Sequence, residues 1–240
     1  MTNPSNRPIG IIGAMDVEIE LLLKSMSASG PVQQAEYAGM TFNAGTLEGR
    51  DCVVVRCGIG MVNAAICAQL LVDKFDVSQI VNTGIAGSLD ASIDIGDIVI
   101  ATDSVNHIMD VQNLGYAAGQ TPGFESATFP ATSSLSAAAE AAAAELGVHA
   151  HHGRVASGDR FVRSEEDKQR ITALFGASCC EMEGAAIAQT CFLNKVPYLI
   201  IRAISDKADG SAEVDYPTFE KKAAEDCANL TLRMLANTHK

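Results

Sequence analysis

Tyr198-Leu199-Ile200-Ile201-Arg202-Ala203-Ile204-Ser205-Asp206 is the stretch on which the fold turns. An apolar run of this kind, without polar alternation, predicts a strand covered on both faces, as in an α/β sheet. Arg202 lies inside the run, and burying its charge costs several kcal/mol in order of magnitude unless an anion meets it. Ser205 and Asp206 end the strand, and in open α/β sheets ligands bind beyond the carboxyl ends of strands. Two readings fit: a structural ion pair at a strand end, or one wall of a ligand site.

Outward from this strand, short apolar runs alternate with amphipathic helical stretches. Ile9 to Ile12 precedes a helix carrying Met15, Ile19, Leu22, Leu23 and Met26. Cys52 to Arg56 precedes Gly58-Ile59-Gly60 and a helix over Val62 to Lys74. Gln79 to Asn82 and Asp97 to Ala101 follow. An alanine-rich helix (Ser134 to Leu146) leads to Arg154–Ala156, and Ser178–Glu181 leads to a helix over Glu183 to Leu193. The last helix is expected from about Pro217. This order predicts an α/β three-layer sandwich, a central mixed and largely parallel sheet flanked by helices. No linker or repeat divides the chain, so residues 1–240 are expected to form one domain, with Met1 to Pro8 a frayed tail. Asp103 to Thr132 is weakly periodic and glycine- and proline-bearing, the kind of long segment that usually serves a site or a partner.

The 240 residues carry a net charge of −12, which argues against nucleic acid or an anionic membrane as partner but not against a neutral nucleoside. Hydrophobic residues make up 48%, slightly apolar for a monomer, which points to surface buried in an oligomer. No run is long enough to span a bilayer. Seven cysteines without Cys-x-x-Cys spacing read as buried free thiols of a reducing cytoplasm. His149, His151 and His152 read as a surface loop, and no acidic or cysteine ligand lies at a familiar spacing, so no metal site is expected.

Glu18, Glu183, Arg202 and Asp206 fall near strand ends. Glu18 borders the apolar face of the first helix, where desolvation raises a carboxyl toward the range of a general base. Glu181-Met182-Glu183 spans a strand-to-helix junction, where a carboxylate suits either the helix dipole or the hydroxyls of a ribose. Arg202 and Asp206 complete the set. Ser157-Gly158-Asp159-Arg160-Phe161-Val162 ends another strand and offers Phe161 for stacking on a flat ring. Gly58-Ile59-Gly60 and Asn82-Thr83-Gly84-Ile85-Ala86-Gly87 fit neither the dinucleotide fingerprint nor a phosphate loop, and read as tight strand-to-loop turns where backbone approaches a small ligand.

Taken in order, Ile9-Gly10-Ile11-Ile12-Gly13-Ala14-Met15 with Glu18, Asn82 to Gly87, Ser157-Gly158-Asp159, Glu181-Met182-Glu183 and Arg202 to Asp206 resemble the 5′-methylthioadenosine/S-adenosylhomocysteine nucleosidases of the nucleoside phosphorylase superfamily. The resemblance runs from about Ile9 to the carboxyl end. It implies hydrolysis of an adenine thionucleoside to adenine and a thioribose, with no cofactor and no metal. It also implies that Glu18 activates water and that Asp206 protonates adenine N7. Phe161 would stack on adenine, with the Val162 and Ser205 backbones nearby. Glu183 and the Met182 backbone would hold the ribose hydroxyls, and Arg202 would order water and ribose. Met15 and Ile59 would line the sugar and 5′ side, and Ala86, Gly87 and Glu181 complete the substrate-binding set. A homodimer is implied, in which Val111, Leu114, Tyr116 and Pro122 cover the partner's 5′ pocket. Several positions depart from the family. Ile85 stands for a frequent serine, Leu114 for a phenylalanine, Tyr216 for a phenylalanine, and His107-Ile108-Met109-Asp110 for His-Asp-x-Asp. The alternatives are a hydrolase of aminodeoxyfutalosine or 5′-deoxyadenosine, a phosphate-dependent phosphorylase, and a binding protein that has lost catalysis.

Overall fold

The computed structural model describes residues 7–237. In chain order its elements are β1 (Ile9–Gly13), α1 (Asp16–Ser29), β2 (Gln33–Tyr37), β3 (Met40–Leu47), β4 (Arg50–Arg56), α2 (Met61–Phe75), β5 (Gln79–Ser88), β6 (Ile98–Asn106), β7 (Thr128–Pro130), α3 (Ser133–Leu146), β8 (Ala150–Ser157), α4 (Glu165–Phe175), β9 (Cys179–Glu181), α5 (Gly184–Asn194), β10 (Tyr198–Asp206) and α6 (Ala212–Asn237). Most of the tail expected over Met1 to Pro8 lies outside the described residues. Its last two residues are tied down: Arg7 donates to the Val77 carbonyl at 3.0 Å, and the Pro8 carbonyl accepts from the Ser78 amide at 2.8 Å.

All nine residues of β10 are buried, as its apolar run predicts. The strands form one mixed sheet in the order β10-β6-β8-β9-β5-β1-β4-β3-β2, with β7 on β6 and a further pairing of β10 with β5. β1 runs parallel to β4 and β5, β5 to β10, and β8 to β6 and β9. The hairpin strands β2 and β3, and the contacts β10–β6, β5–β9 and β6–β7, are antiparallel.

Helices cover both faces. α2 and α5 bring Ala64, Cys67, Leu71, Ile187 and Cys191 onto one core, which takes Tyr198, Ile200 and Ile204 from β10. α1, α3 and α6 bring Leu22, Met26, Ala139, Ala142, Leu230 and Leu235 onto the other, which takes Leu199, Ile201 and Ala203. The period of two along β10 thus puts Arg202 on the same face as Ile200 and Ile204.

Three expectations need correction. Asn82 to Gly87 is not a turn: β5 runs through it to Ser88, and β10 pairs with it from Ile80 to Gly87. The glycines serve close approach, since a β-carbon on Gly84 would overlap the Glu18 carboxylate and one on Gly87 would lie 2.7 Å from Asp206 Oδ1. His151 and His152 belong to β8 rather than to a loop. α6 begins at Ala212, with Pro217 inside it. The earlier start puts Tyr216 on the helix.

Candidate active site

The carboxyl ends of β1, β5, β9 and β10 bring the charged residues together. Glu18, in the first turn of α1, is 4% exposed. Its Oε2 accepts the Ala14 and Met15 amides at 2.6 and 3.0 Å, and its Oε1 accepts the Ile85 amide at 3.0 Å. The first two bonds form because α1 starts immediately after β1, leaving orphan amides that a carboxylate three residues on can satisfy. Burial pushes the Glu18 carboxyl up, while Arg202 and the three amides pull against it.

Arg202 is 2% exposed and meets Glu181 Oε2 at 2.5 Å. The anion that its burial requires is thus Glu181, while Glu18 and Glu183 act on Arg202 through their charge. Arg202 also donates to the Asn82 carbonyl at 3.2 Å, to its own strand at the Ile201 carbonyl, and to the Asn82 side chain. Burial works against its charge, but Glu181, Glu18 and Glu183 outweigh it and keep the guanidinium firmly protonated. Among the described residues its Nε is buried without a partner.

Glu181 is saturated. Besides Arg202 it accepts the Ser157 hydroxyl and the amides of Glu183 and Gly184, at 3.1 and 2.8 Å. Glu183 precedes α5 and accepts the Gly60 amide at 2.7 Å. Burial and the neighbouring Glu181 charge push its carboxyl up. Gly58-Ile59-Gly60 is thereby fastened over Glu183, with Ile59 54% exposed. Asp159 fastens the same segment from the other side, accepting the Met61 amide at 2.7 Å and supplying the cap that Gly60 lacks at the start of α2.

Asp206 ends β10 just past a register shift between Ile204 and Asp206. An irregularity of this kind re-aims the side chain that follows it. Its Oδ2 accepts the Ser205 hydroxyl at 2.9 Å and its Oδ1 the Ala208 amide at 2.8 Å. Burial pushes the carboxyl up, and Asp215 and Asp209 add to the shift. Glu18 and Asp206 thus move in the same direction, not apart as an acid–base pair suggests. The cation distinguishes them: Arg202 favours the ionised form of Glu18, whereas Asp206 has only an amide and a hydroxyl doing so, with Asp215 and Asp209 acting against them.

A cleft beside Asp206 is lined by Gly87, Arg160, Phe161, Val162, Cys180, Glu181 and Met182. Phe161 is 42% exposed and stands edge-on to Tyr216, with centroids 5.5 Å apart. The Tyr216 hydroxyl lies 3.2 Å from Met15 Sδ, so Met15, Phe161 and Tyr216 converge. Ala86 is buried in β5 beside Gly87. Val111, Leu114, Tyr116 and Pro122 lie apart from the cleft lining, exposed or half-buried on the segment between β6 and β7. Asn82, Asp159, Arg160 and Cys180 were not singled out from the sequence as site residues. Asp159 and Arg160 stood inside a quoted motif. Cys180 gave no signal beyond an apolar setting.

A family model for the phosphorylase superfamily matches residues 8–236, and the chain belongs to that superfamily. A 5′-methylthioadenosine/S-adenosylhomocysteine nucleosidase of Shewanella denitrificans is 40% identical over 95% of this chain and 98% of its own. The crystal structure of the nucleosidase of that name from Neisseria meningitidis, in complex with methylthio-immucillin-A, superposes with a TM-score of 0.92 at 37% identity, covering 96% and 99% of the two chains. A futalosine hydrolase of Helicobacter pylori reaches the same TM-score at 31% identity, covering 97% and 98%. Within the superfamily, this chain's family is that of the 5′-methylthioadenosine/S-adenosylhomocysteine nucleosidases.

Proposed function

We propose that the chain hydrolyses the N-glycosidic bond of 5′-methylthioadenosine and S-adenosylhomocysteine, releasing adenine and the 5-thioribose. One observation carries the reading: two buried carboxyls with raised pKa flank the same strand, Glu18 against Gly84 and Asp206 against Gly87. Three residues of strand are roughly 10 Å, so the two carboxyls are set apart along β5 rather than paired with each other.

In this mechanism Asp206, whose carboxyl burial pushes up, gives its proton to adenine N7 as the bond from C1′ to N9 breaks. Glu18 takes a proton from the water whose oxygen bonds to C1′. A positioned acid and a positioned base each contribute about 3–5 kcal/mol to lowering the barrier. Anionic carboxylates near C1′ favour the oxocarbenium-like sugar. Phe161 stacks on adenine, the Val162 and Ser205 backbones read its edge, and Ala86 and Gly87 leave space for it. Glu183 and the Met182 backbone take the ribose hydroxyls, for which Glu183 exchanges its bond from Gly60. Arg202 Nε is a donor left over for ribose or water, and Glu181 fixes the guanidinium that carries it. Met15 and Ile59 line the 5′ side.

Water is favoured over phosphate because Arg202 already meets Glu181 and Asn82. The described chain is proposed to act as one domain in a homodimer. Supporting this, Val62 and Ile66 on α2 and Phe192 and Leu193 on α5 are exposed apolar residues on two helices that pack together, and Leu114 is exposed as well. Val111, Leu114, Tyr116 and Pro122 would then cover the partner's 5′ pocket. Among the described residues no helix is long and apolar enough to cross a membrane, and a cytoplasmic location is proposed from the free thiols.

Adenine release from both nucleosides, with and without phosphate, tests the reading. Release from both without phosphate is expected, and dependence on phosphate overturns it. The match to a futalosine hydrolase makes aminodeoxyfutalosine the comparison substrate, and turnover of it alone would move the assignment to that hydrolase.

A further inference from the structure

Away from the cleft, the fold sets Asp97 against two histidines that lie far along the chain from it. Asp97 immediately precedes β6, and His149 precedes β8, with His151 its second residue. The parallel register sets Ile98 beside Ala150 and Val99 beside His151, and the Ile98 amide donates to the His149 carbonyl at 2.8 Å. Asp97 therefore falls between the two imidazoles. Its Oδ2 lies 3.4 Å from His149 Nδ1 and 3.0 Å from His151 Nε2. The rings stand at 65° with centroids 4.4 Å apart.

The same oxygen also accepts the Asp94 amide at 2.9 Å. Two imidazole nitrogens thus converge on an oxygen that already holds an amide. A cation among these atoms takes a lone pair from each ring and leaves the amide bond in place, which then orients the carboxylate from behind. The spacing suits such an ion. With bonds of about 2.0–2.1 Å, neighbouring ligand atoms of tetrahedral zinc stand roughly 3.3 Å apart, and the three ligand atoms here lie within 4.8 Å of one another. Imidazole with one carboxylate is a zinc-type donor set. Asp90 adds negative charge that acts on His151. The competing thiols are withdrawn, since all seven cysteines are buried.

We propose that Asp97, His149 and His151 form a binding site for a divalent transition metal, zinc by its chemistry, with the remaining position open to water. The side chain of His149 is 72% exposed, so the site faces solvent and loads without unfolding. It is separate from the hydrolytic chemistry but not from the strand that carries it. The Asp97 carbonyl accepts the Ile204 amide, the Gly96 amide donates to the Ile204 carbonyl, and Lys207 reaches Ile93 and Asp94. The loop holding the ion thus clasps β10 on both sides of Asp206.

Calorimetric titration of untagged protein with zinc chloride tests the site, with Co²⁺ absorption as a second readout. One equivalent is expected to bind and to raise Tm. His151→Ala and Asp97→Asn are expected to weaken binding about tenfold or more, with a cobalt spectrum lacking thiolate bands. His152→Ala is the control, because that ring faces Glu140 at 3.6 Å instead. Absence of binding, binding that survives His151→Ala, or binding lost equally in His152→Ala overturns the proposal. If Asp97→Asn fails to fold, His149→Ala and the cobalt spectrum decide the question.

Discussion

Arg202 and Glu181 meet at 2.5 Å with side chains 2% and 4% exposed, so each is the other's condition for burial. Removing one partner of such a pair leaves an uncompensated charge and costs about 3–5 kcal/mol. Glu181→Ala is expected to lose that much, read as a lower denaturant midpoint. Glu181→Gln should lose less, because an amide oxygen still accepts from Arg202 and Ser157. Equal midpoints for Glu181→Ala and wild type would show the pair to be a bystander.

Gly84 is the next point of leverage. A β-carbon there overlaps the Glu18 carboxylate, which is already held by the Ile85 amide of the same strand. Gly84→Ala should displace Glu18 and lower kcat about a hundredfold or more, the share of a positioned base, while circular dichroism stays native. Gly87→Ala should crowd Asp206 Oδ1 and Ala208 instead, and weaken adenine binding. If Gly84→Ala keeps wild-type kcat, Glu18 is not the base.

The raised pKa of Asp206 makes a prediction about stability as well as turnover. Burial means that the folded chain holds this proton more tightly than the unfolded chain does. Its contribution is therefore fully present at acid pH and is lost as pH rises through the raised folded value. Asp206→Asn cannot ionise and escapes that loss. It should abolish adenine release yet gain in Tm relative to wild type as pH is raised from acid to neutral. A Tm difference that shrinks over that interval contradicts the raised pKa.

Much of this was legible in the sequence for local reasons. The buried strand follows from the unbroken run of β10, and Glu18, Glu183 and Asp206 follow from carboxylates set where strands end. What escaped was set by pairing across the sheet. The glycines at 84 and 87 carry a turn signal, and pairing with β10, joined at Gly87 by β9, keeps them extended. Asp97 and His151 become neighbours only once β6 and β8 are in register. The choice of Glu181 as the contact of Arg202 depends on β9 lying antiparallel to β5, which no spacing within Glu181-Met182-Glu183 reveals.

Asp159 offers the last test, because it belongs to the loop that presents Phe161 yet binds the start of α2. Gly60 has no side chain with which to cap that helix, and Asp159 Oδ1 accepts the Met61 amide in its place. The adjacent Gly60 amide is bound to Glu183, so the two acids together fix the Ile59 turn before substrate enters, and Asp159 alone holds it once Glu183 turns to the ribose. Losing a cap costs about 0.5–2 kcal/mol, too little to unfold the chain but enough to free the turn. Asp159→Ala should therefore raise KM several-fold with a smaller change in kcat, whereas Asp159→Asn, which keeps the accepting oxygen, should restore most of the loss. A fall confined to kcat, or no rescue by asparagine, would mean that Asp159 acts by its charge rather than by holding the turn.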